Sequence, residues 1–380
     1  MRDINMDTTW IEISKKSIQH NVKTIRSLIN KNTLLAPCVK SNAYGHGMRE
    51  MAKLLIPHKV NMLCVASIEE ALVLRESGIS IPLLIMGFVP HARLGDILDS
   101  RASIFVCEPQ TARTLSRLAL AARTTVNVHI KVDTGMGRQG LMPRQLNAFI
   151  KFIQSLKGLR WEGIATHFAS ADEPEHPQHF YDQLKIFTHL VKGIKKDRQG
   201  FPLIHCANSA ATFLEPQSHF DMVRPGLAVY GYYPNDATKK TCLAQGMPLH
   251  PSLALKTKIA AVKKIPKDAC VSYGCTFITK HHTRIAVLPV GYYDGIDRAL
   301  SNRGHVLIRG HRAPILGRVC MNITVVDVTR LPHITQKDEA VIIGTQGREE
   351  ITIEEMARHI GTINYEVTTR LRENIRHIYL

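Results

Sequence analysis

Five segments of the chain set a titratable or hydrogen-bonding side chain at the end of a short apolar run. Lys40 closes LLAPCVK and leads into SNAYGHG. Lys131 and Asp133 close TVNVHIKVD and lead into TGMGRQG. His167 stands near the end of WEGIATHF. Asn208 closes FPLIHCAN, with Ser209 next, and Arg224 precedes Pro225 and Gly226 in MVRPGLAVYG. A lysine held partly neutral by a cationic neighbour or a desolvated site can attack a carbonyl. An arginine stays protonated and can only donate. Ser209 at the start of a helix and Gly226, which lets a ligand approach the backbone, are suited to an anion. Ser209 could also serve as the cap of that helix.

The elements that must position these groups follow from the periodicity. Eight short apolar runs read as strands: 34–40, 61–67, 81–88, 102–107, 125–133, 161–168, 201–208 and 222–231. Helical patterns lie between them. Ser67 and Glu70 form a capping box opening SIEEALVLRES, with Gly78 as its stop. PRQLNAFIKFIQSLKG carries apolar residues at near-helical spacing and ends at Gly158. Apolar strands alternating with helices imply parallel βαβ units. Eight units predict an α/β fold, a closed (β/α)8 TIM-type barrel, with an open doubly wound sheet as the competitor. In a barrel the strand ends converge on one mouth, where active sites of this fold lie.

After about residue 245 the pattern changes to short strands separated by Gly, Pro, Asp and Asn, with one late helix, IEEMARHI, capped by Thr352 and Glu355. The expected division is a barrel over 1–243 and a mostly β domain over 244–380. A length of 380 residues fits two domains. The 44% hydrophobic and 21% charged content is that of a soluble globular protein. No membrane span is expected, and the start, MRDINMDTTW, lacks an apolar leader, which points to the cytoplasm. The eight cysteines form no CxxC pair and have no metal-ligand spacing, so no metal is expected and the thiols read as reduced and buried. The net charge of +17 is scattered, with short clusters KKIPK, GIKKDR and KHHTR and no nucleic-acid motif. A basic surface that concentrates anionic ligands accounts for it without nucleic acid.

VKSNAYGHG resembles the pyridoxal-phosphate attachment site of alanine racemases. KVDTGMGRQG, THFASADE, CANSAA, RPGLAVYG, VSYGCTF, GYYDG, GRVCMN and INYEV resemble further segments of that family, in the same order and over essentially the whole chain. The resemblance implies a barrel followed by a β domain, and interconversion of L-alanine and D-alanine.

It also implies roles. Lys40 would carry the pyridoxal 5′-phosphate. Ser209, the backbone of Gly226 and Leu227, Tyr44 and Tyr365 would hold its phosphate, with Asn208 beside them. Arg224 would face the pyridine nitrogen and, as a donor only, keep it unprotonated and a weaker electron sink. Lys40 would serve the D-isomer and Tyr273 the L-isomer on the opposite face of Cα. Tyr273 would reach the barrel of a second subunit, so a homodimer is implied, and a tyrosine acting as base needs cationic neighbours. The resemblance supplies these as a network of His167 and Arg224. Arg138 and Met321 would bind the substrate carboxylate, and Tyr292 would line the entrance. Lys131 matches a position that can be carbamylated, against the alternative of a lysine paired with Asp133.

The chain departs from the family at Asn322, where Asp is common, at Tyr293, where a small residue is frequent, and in the ending RENIRHIYL. Competing readings are a broad-specificity racemase, a basic amino-acid decarboxylase on the same barrel, and a non-catalytic cofactor carrier. Tyr273 and Arg224 speak against the decarboxylase, where an acidic pyridine partner would strengthen the sink. The product would serve peptidoglycan synthesis or alanine catabolism.

Overall fold

The computed structural model describes residues 7–173, 175, 177–196 and 201–380. Residues 1–6, part of the start expected to lack a leader, and Asp197 and Arg198 of the GIKKDR cluster lie outside the described residues. The chain forms two units, one of Ser17–Ala43 and Met48–Pro251, the other of Met1–Lys16, Tyr44–Gly47 and Ser252–Leu380.

The first unit is built on eight parallel strands, Leu34–Leu35, Leu63–Val65, Leu83–Ile85, Ser103–Val106, Val126–Lys131, Leu159–Ala165, Leu203–His205 and Met222–Val223. All eight expected strands are present. Neighbours in the sheet are neighbours in sequence, and Met222–Val223 pairs back onto Leu34–Leu35. The two ends meet through a parallel bridge between Cys38 and Cys64, with Val39 N–H donating to the Cys64 carbonyl at 2.9 Å. The sheet therefore closes into a barrel. The open doubly wound alternative would need a reversal of strand order, and none occurs.

Local sequence explains these elements. Leu63–Val65, Leu83–Ile85 and Ser103–Val106 are buried along their whole length, as strands covered on both faces must be. The Ile68–Glu76 helix starts where the Ser67 side chain accepts the Glu70 N–H. The Pro109–Ala121 helix begins with the one residue type that loses nothing there, and it buries Ala112, Leu115, Ser116 and Ala119 as one stripe.

The second unit is mostly β, as expected. Its larger sheet runs His311–Pro314, His305–Ile308, Glu339–Gln346, Leu253–Lys258, Thr9–Ile13 and Arg376–Tyr379. A three-stranded antiparallel sheet joins Ala261–Ile265, Thr283–Leu288 and Thr324–Asp327. The β unit is discontinuous in sequence. Thr9–Ile13 pairs antiparallel with Leu253–Lys258 and parallel with Arg376–Tyr379, which takes the start of the chain into the β unit. The ending that departs from the family thus supplies a paired strand of the larger sheet.

Six cysteines are free, four of them buried and Cys107 and Cys320 half-buried. Cys270 and Cys275 correct the expectation of reduced, buried thiols: both are exposed and they are joined as a disulfide. Ser272, Gly274 and Cys275 all have positive φ, a tight reversal that brings the two Cα atoms to 4.9 Å. Among the described residues no helix is long and apolar enough to cross a membrane.

Candidate active site

Lys40 opens a six-residue turn, Lys40–Gly45. Ser41, Asn42, Ala43 and Tyr44 have φ of 54, 52, 54 and 56°, so the turn is left-handed. That hand costs L-residues about 1–2 kcal/mol each and persists only where the surroundings impose it. In the barrel unit Glu70 imposes it. One carboxylate oxygen accepts the Ser41 N–H at 2.6 Å and the other accepts the Ala66 N–H at 2.6 Å. Asn42 Oδ1 accepts the Met48 N–H at 2.9 Å. In the β unit His377 bonds the Gly45 carbonyl at 2.9 Å and the Tyr379 hydroxyl donates to the His46 carbonyl at 2.8 Å. Gly45 has φ +84°, and a Cβ there would lie 2.1 Å from the Thr368 carbonyl oxygen. Glycine at this point of SNAYGHG is therefore a steric requirement.

Further cations gather at the C-terminal strand ends. Lys131 is the last residue of its strand and is buried. Burial, then Arg224 and Arg138, push its amine well below the ordinary lysine value, against the pull of Asp133. Asp133 accepts the N–H groups of Gly135, Met136, Gly137 and Arg138 and so shapes the TGMGRQG loop. Burial works against its ionisation, yet those four bonds hold it below the usual carboxylate range.

His167 lies two residues past the Leu159–Ala165 strand. Burial pushes its imidazole well below the ordinary value, and Lys131, Arg224, Arg138 and Lys40 push in the same direction. His167 is thus a neutral ring among the side chains of Lys131, Arg224, Arg138 and Lys40, and not itself a cation.

Asn208, and not Ser209, caps the Ser209–Leu214 helix, its side chain accepting the Ala211 N–H at 3.0 Å. Ser209 instead braces two loops, its hydroxyl oxygen accepting the N–H groups of Gly226 at 2.9 Å and Ala228 at 3.3 Å. The strand-seven and strand-eight loops, Leu227 included, are thereby tied together. Arg224 is 3% exposed. Its guanidinium donates to Nδ1 of His205 and to the carbonyls of Thr166 at 3.0 Å and Cys206 at 3.3 Å, which fixes its plane.

The remaining expected residues lie in the β unit. Tyr44 and Tyr365 approach each other, ring centres 6.2 Å apart. Tyr273 is 73% exposed, and Met321 and Tyr292 are exposed too. A short run of bonds links the segments that carry these three: Ser272 Oγ donates to the Arg318 carbonyl at 2.6 Å, Tyr292 N–H to Cys320 O at 3.0 Å and Tyr293 N–H to Met321 O at 2.9 Å.

Family models described as the alanine racemase N-terminal domain and C-terminal domain match residues 13–234 and 252–379. The chain belongs to the alanine racemase family. An alanine racemase of Halothermothrix orenii is 39% identical over 371 residues, covering 98% of this chain and 96% of that protein. One of Desulfosudis oleivorans is 39% identical over 385 residues, covering 99% and 97%. Among solved structures, the Clostridium difficile alanine racemase aligns with a TM-score of 0.92 at 32% identity, covering 99% of this chain and 96% of that one. The Bacillus anthracis alanine racemase with bound L-Ala-P aligns with a TM-score of 0.90 at 33% identity, covering 98% and 95%. Likeness over the full length at these identities makes the chain an alanine racemase in activity as well as in fold.

Four residues of this racemase that touch the site's framework carried no signal in the motifs. Glu70 read as half of a capping box. Its carboxylate leaves that duty to Ser67 alone and holds Ser41 instead. His129, Glu162 and His205 sit inside strand runs, where a lone polar residue reads as an interruption. Their side chains meet inside the barrel, Glu162 on the strand that lies between those of His129 and His205.

Proposed function

We propose that the chain interconverts L-alanine and D-alanine with pyridoxal 5′-phosphate carried on Lys40, and with two residues exchanging the Cα proton from opposite faces. The residues present fit that cofactor. A lysine, a buried donor-only guanidinium and a serine-linked pair of loops with backbone N–H groups stand at one barrel mouth crowded with cations, suited to an anionic phosphate. Tyr44 and Tyr365 would add hydroxyls to the phosphate. Bound there, the cofactor supplies the electron-withdrawing ring that makes the Cα proton removable.

The observation that carries the reading is Arg224. It is buried, held in one plane by three acceptors, and able only to donate. With the cofactor bound it would face the ring nitrogen and, as a donor only, would keep that nitrogen unprotonated, which would limit charge delocalisation into the ring and favour return of the proton to Cα. Lys40 takes or gives the proton on the D-face. The Tyr273 hydroxyl does so on the L-face, and a neutral His167 beside Arg224 would relay hydrogen bonds to it. Arg138 and the Met321 backbone bind the substrate carboxylate, and Tyr292 narrows the entrance to small substrates.

Tyr273 would act in the barrel of a second subunit. Its 73% exposure, together with exposed Met321, Tyr292 and Ile323, marks an apolar face of the kind that a partner covers. Lys131 would carry a carbamate. Its depressed amine is the nucleophile that CO2 needs, and the anion formed would position Arg138, which an unmodified lysine would repel. The enzyme would act in the cytoplasm, feeding D-alanine to peptidoglycan synthesis or alanine to catabolism.

Subunit mixing tests the shared site. Lys40→Ala and Tyr273→Phe dimers, each impaired, are unfolded together, refolded and assayed for loss of optical activity of L-alanine. Sharing predicts that mixed dimers regain one intact site and activity rises well above either parent. No gain in verified mixed dimers would rule the shared site out.

A further inference from the structure

The interior of a (β/α)8 barrel is ordinarily filled by layers of Val, Ile and Leu. Here a polar column runs through it. The Arg224 guanidinium meets Nδ1 of His205. Nε2 of His205 lies 2.7 Å from Nδ1 of His129, and Nε2 of His129 lies 2.9 Å from a carboxylate oxygen of Glu162. Glu162 also accepts from Asn127 at 2.8 Å and from the Ser103 hydroxyl. Both histidines are 0% exposed, Arg224 is 3% and Glu162 7%. Gly163 makes room for the column, since a Cβ there would lie 2.2 Å from Nδ1 of His129.

The donor inventory orders this chain completely. A guanidinium has no acceptor, so Nδ1 of His205 must accept. The single proton of that ring then sits on Nε2 and points at Nδ1 of His129, which must accept in turn. His129 therefore carries its proton on Nε2 and donates it to Glu162. Both rings are neutral and share one tautomer, and the carboxylate at the far end is ionised. The surroundings agree: burial, then Arg224, hold the His205 imidazole well below its ordinary value. Burial opposes charge on Glu162, but His129, Ser103 and Arg160 outweigh it and keep the carboxyl below its usual range.

We propose that Glu162 is a positioning residue for Arg224, acting through His129 and His205 as a one-directional relay that fixes the guanidinium's plane while keeping its compensating anion away from the barrel mouth. A carboxylate placed directly against Arg224 would engage it in a bidentate pair and quench the charge the mouth uses. Two neutral rings interposed between them hold the orientation and leave the charge unquenched. Burial of an arginine this deep needs an anion somewhere in its network, and Glu162 is connected to it by unbroken hydrogen bonds. The proposal rests on the reading of Arg224 as the residue facing the cofactor nitrogen.

Ring nitrogen resonances of the full-length holoenzyme, labelled with 15N-histidine, test the relay without reference to turnover. At neutral pH the expected result is two slowly exchanging ring N–H groups, both on Nε2 of neutral imidazoles, assigned by their loss in His129→Gln and His205→Gln. An Nδ1–H tautomer or an imidazolium at either ring would overturn the relay. This readout is indifferent to which group serves as the second base, so failure of the relay and failure of the two-base reading are distinguishable. Glu162→Gln keeps the size and removes the charge. It should lower kcat about tenfold, the scale of losing an outer partner of a site group, shift the absorption band of the bound cofactor and leave KM for alanine nearly unchanged. A Glu162→Gln enzyme with unaltered band and kcat would overturn the positioning role. If that variant does not fold, the histidine spectrum of the unaltered protein decides.

Discussion

The Glu70 carboxylate spans two backbone N–H groups at 2.6 Å each, that of Ser41, directly after Lys40, and that of Ala66, directly after the Leu63–Val65 strand. One side chain thereby ties the start of the left-handed turn to the barrel. Removing it in Glu70→Ala leaves the Ser41 N–H to water, since Ser41 is exposed, and the Ala66 N–H without its acceptor at a half-buried position. The expected cost in urea unfolding is about 1–2 kcal/mol. The loss in kcat should exceed what that instability explains at assay temperature, because the turn that starts at Lys40 loses its anchor. Glu70→Gln, which keeps one acceptor, should fall between.

Gly45 and Gly78 separate two reasons for a glycine. Both have positive φ, but a Cβ at Gly45 meets the Thr368 carbonyl oxygen at 2.1 Å, whereas nothing lies within 4 Å at Gly78. Gly78→Ala should cost only the backbone term, about 1 kcal/mol. Gly45→Ala should cost at least about 3 kcal/mol, backbone and overpacking together. Thermal unfolding of the two variants checks the contrast. Equal shifts in Tm would show that the close approach at Gly45 carries no weight.

Lys131 provides a chemical prediction. Its buried, depressed amine should add CO2, forming an N–C bond and releasing a proton to solvent. Protein equilibrated with 13C-bicarbonate should give one carbamate carbon resonance that is absent from Lys131→Ala. Lack of that resonance at neutral pH would assign the residue to an ordinary lysine beside Asp133.

His167 and His205 predict a pH dependence. Both imidazoles are held well below 6.5 in the folded chain, burial being the first cause in each. In the window between the folded values and 6.5 the unfolded chain binds the additional protons. The stability these rings contribute is therefore complete above that value and is lost as the pH falls through the window, at up to about 1.4 kcal/mol per pH unit for each ring. Urea unfolding followed from neutral to acidic pH should show a shallower decline in His167→Asn than in the unaltered protein. Identical declines would remove His167 from that role.

The barrel was readable because each strand lies within a short apolar run and the groups at its mouth sit at or after the strand's C-terminal end. Lys131 ends its strand, Arg224 and His167 follow theirs by one and two residues, and Lys40 follows Leu34–Leu35 by five. The mouth residues Lys40, Lys131, His167 and Arg224 come together for that reason alone. Other features depend on contacts remote in sequence. Thr9–Ile13 joins the β unit through partners more than two hundred residues away, a pairing that local periodicity does not encode. Nothing in Ser41, Ala43 or Tyr44 calls for positive φ. Glu70 imposes the left-handed turn from another helix. His129, His205 and Glu162 look like isolated polar interruptions of strands until the closed barrel brings their side chains together.

Handling of the Cα proton from two faces, by Lys40 on one and Tyr273 on the other, stands or falls on solvent exchange in Tyr273→Phe. The kinetics are followed in D2O by proton NMR on separate L- and D-alanine samples. Two-faced handling predicts that this variant still exchanges the Cα proton of D-alanine while exchange from L-alanine collapses. Retention of equal exchange from both isomers would contradict it.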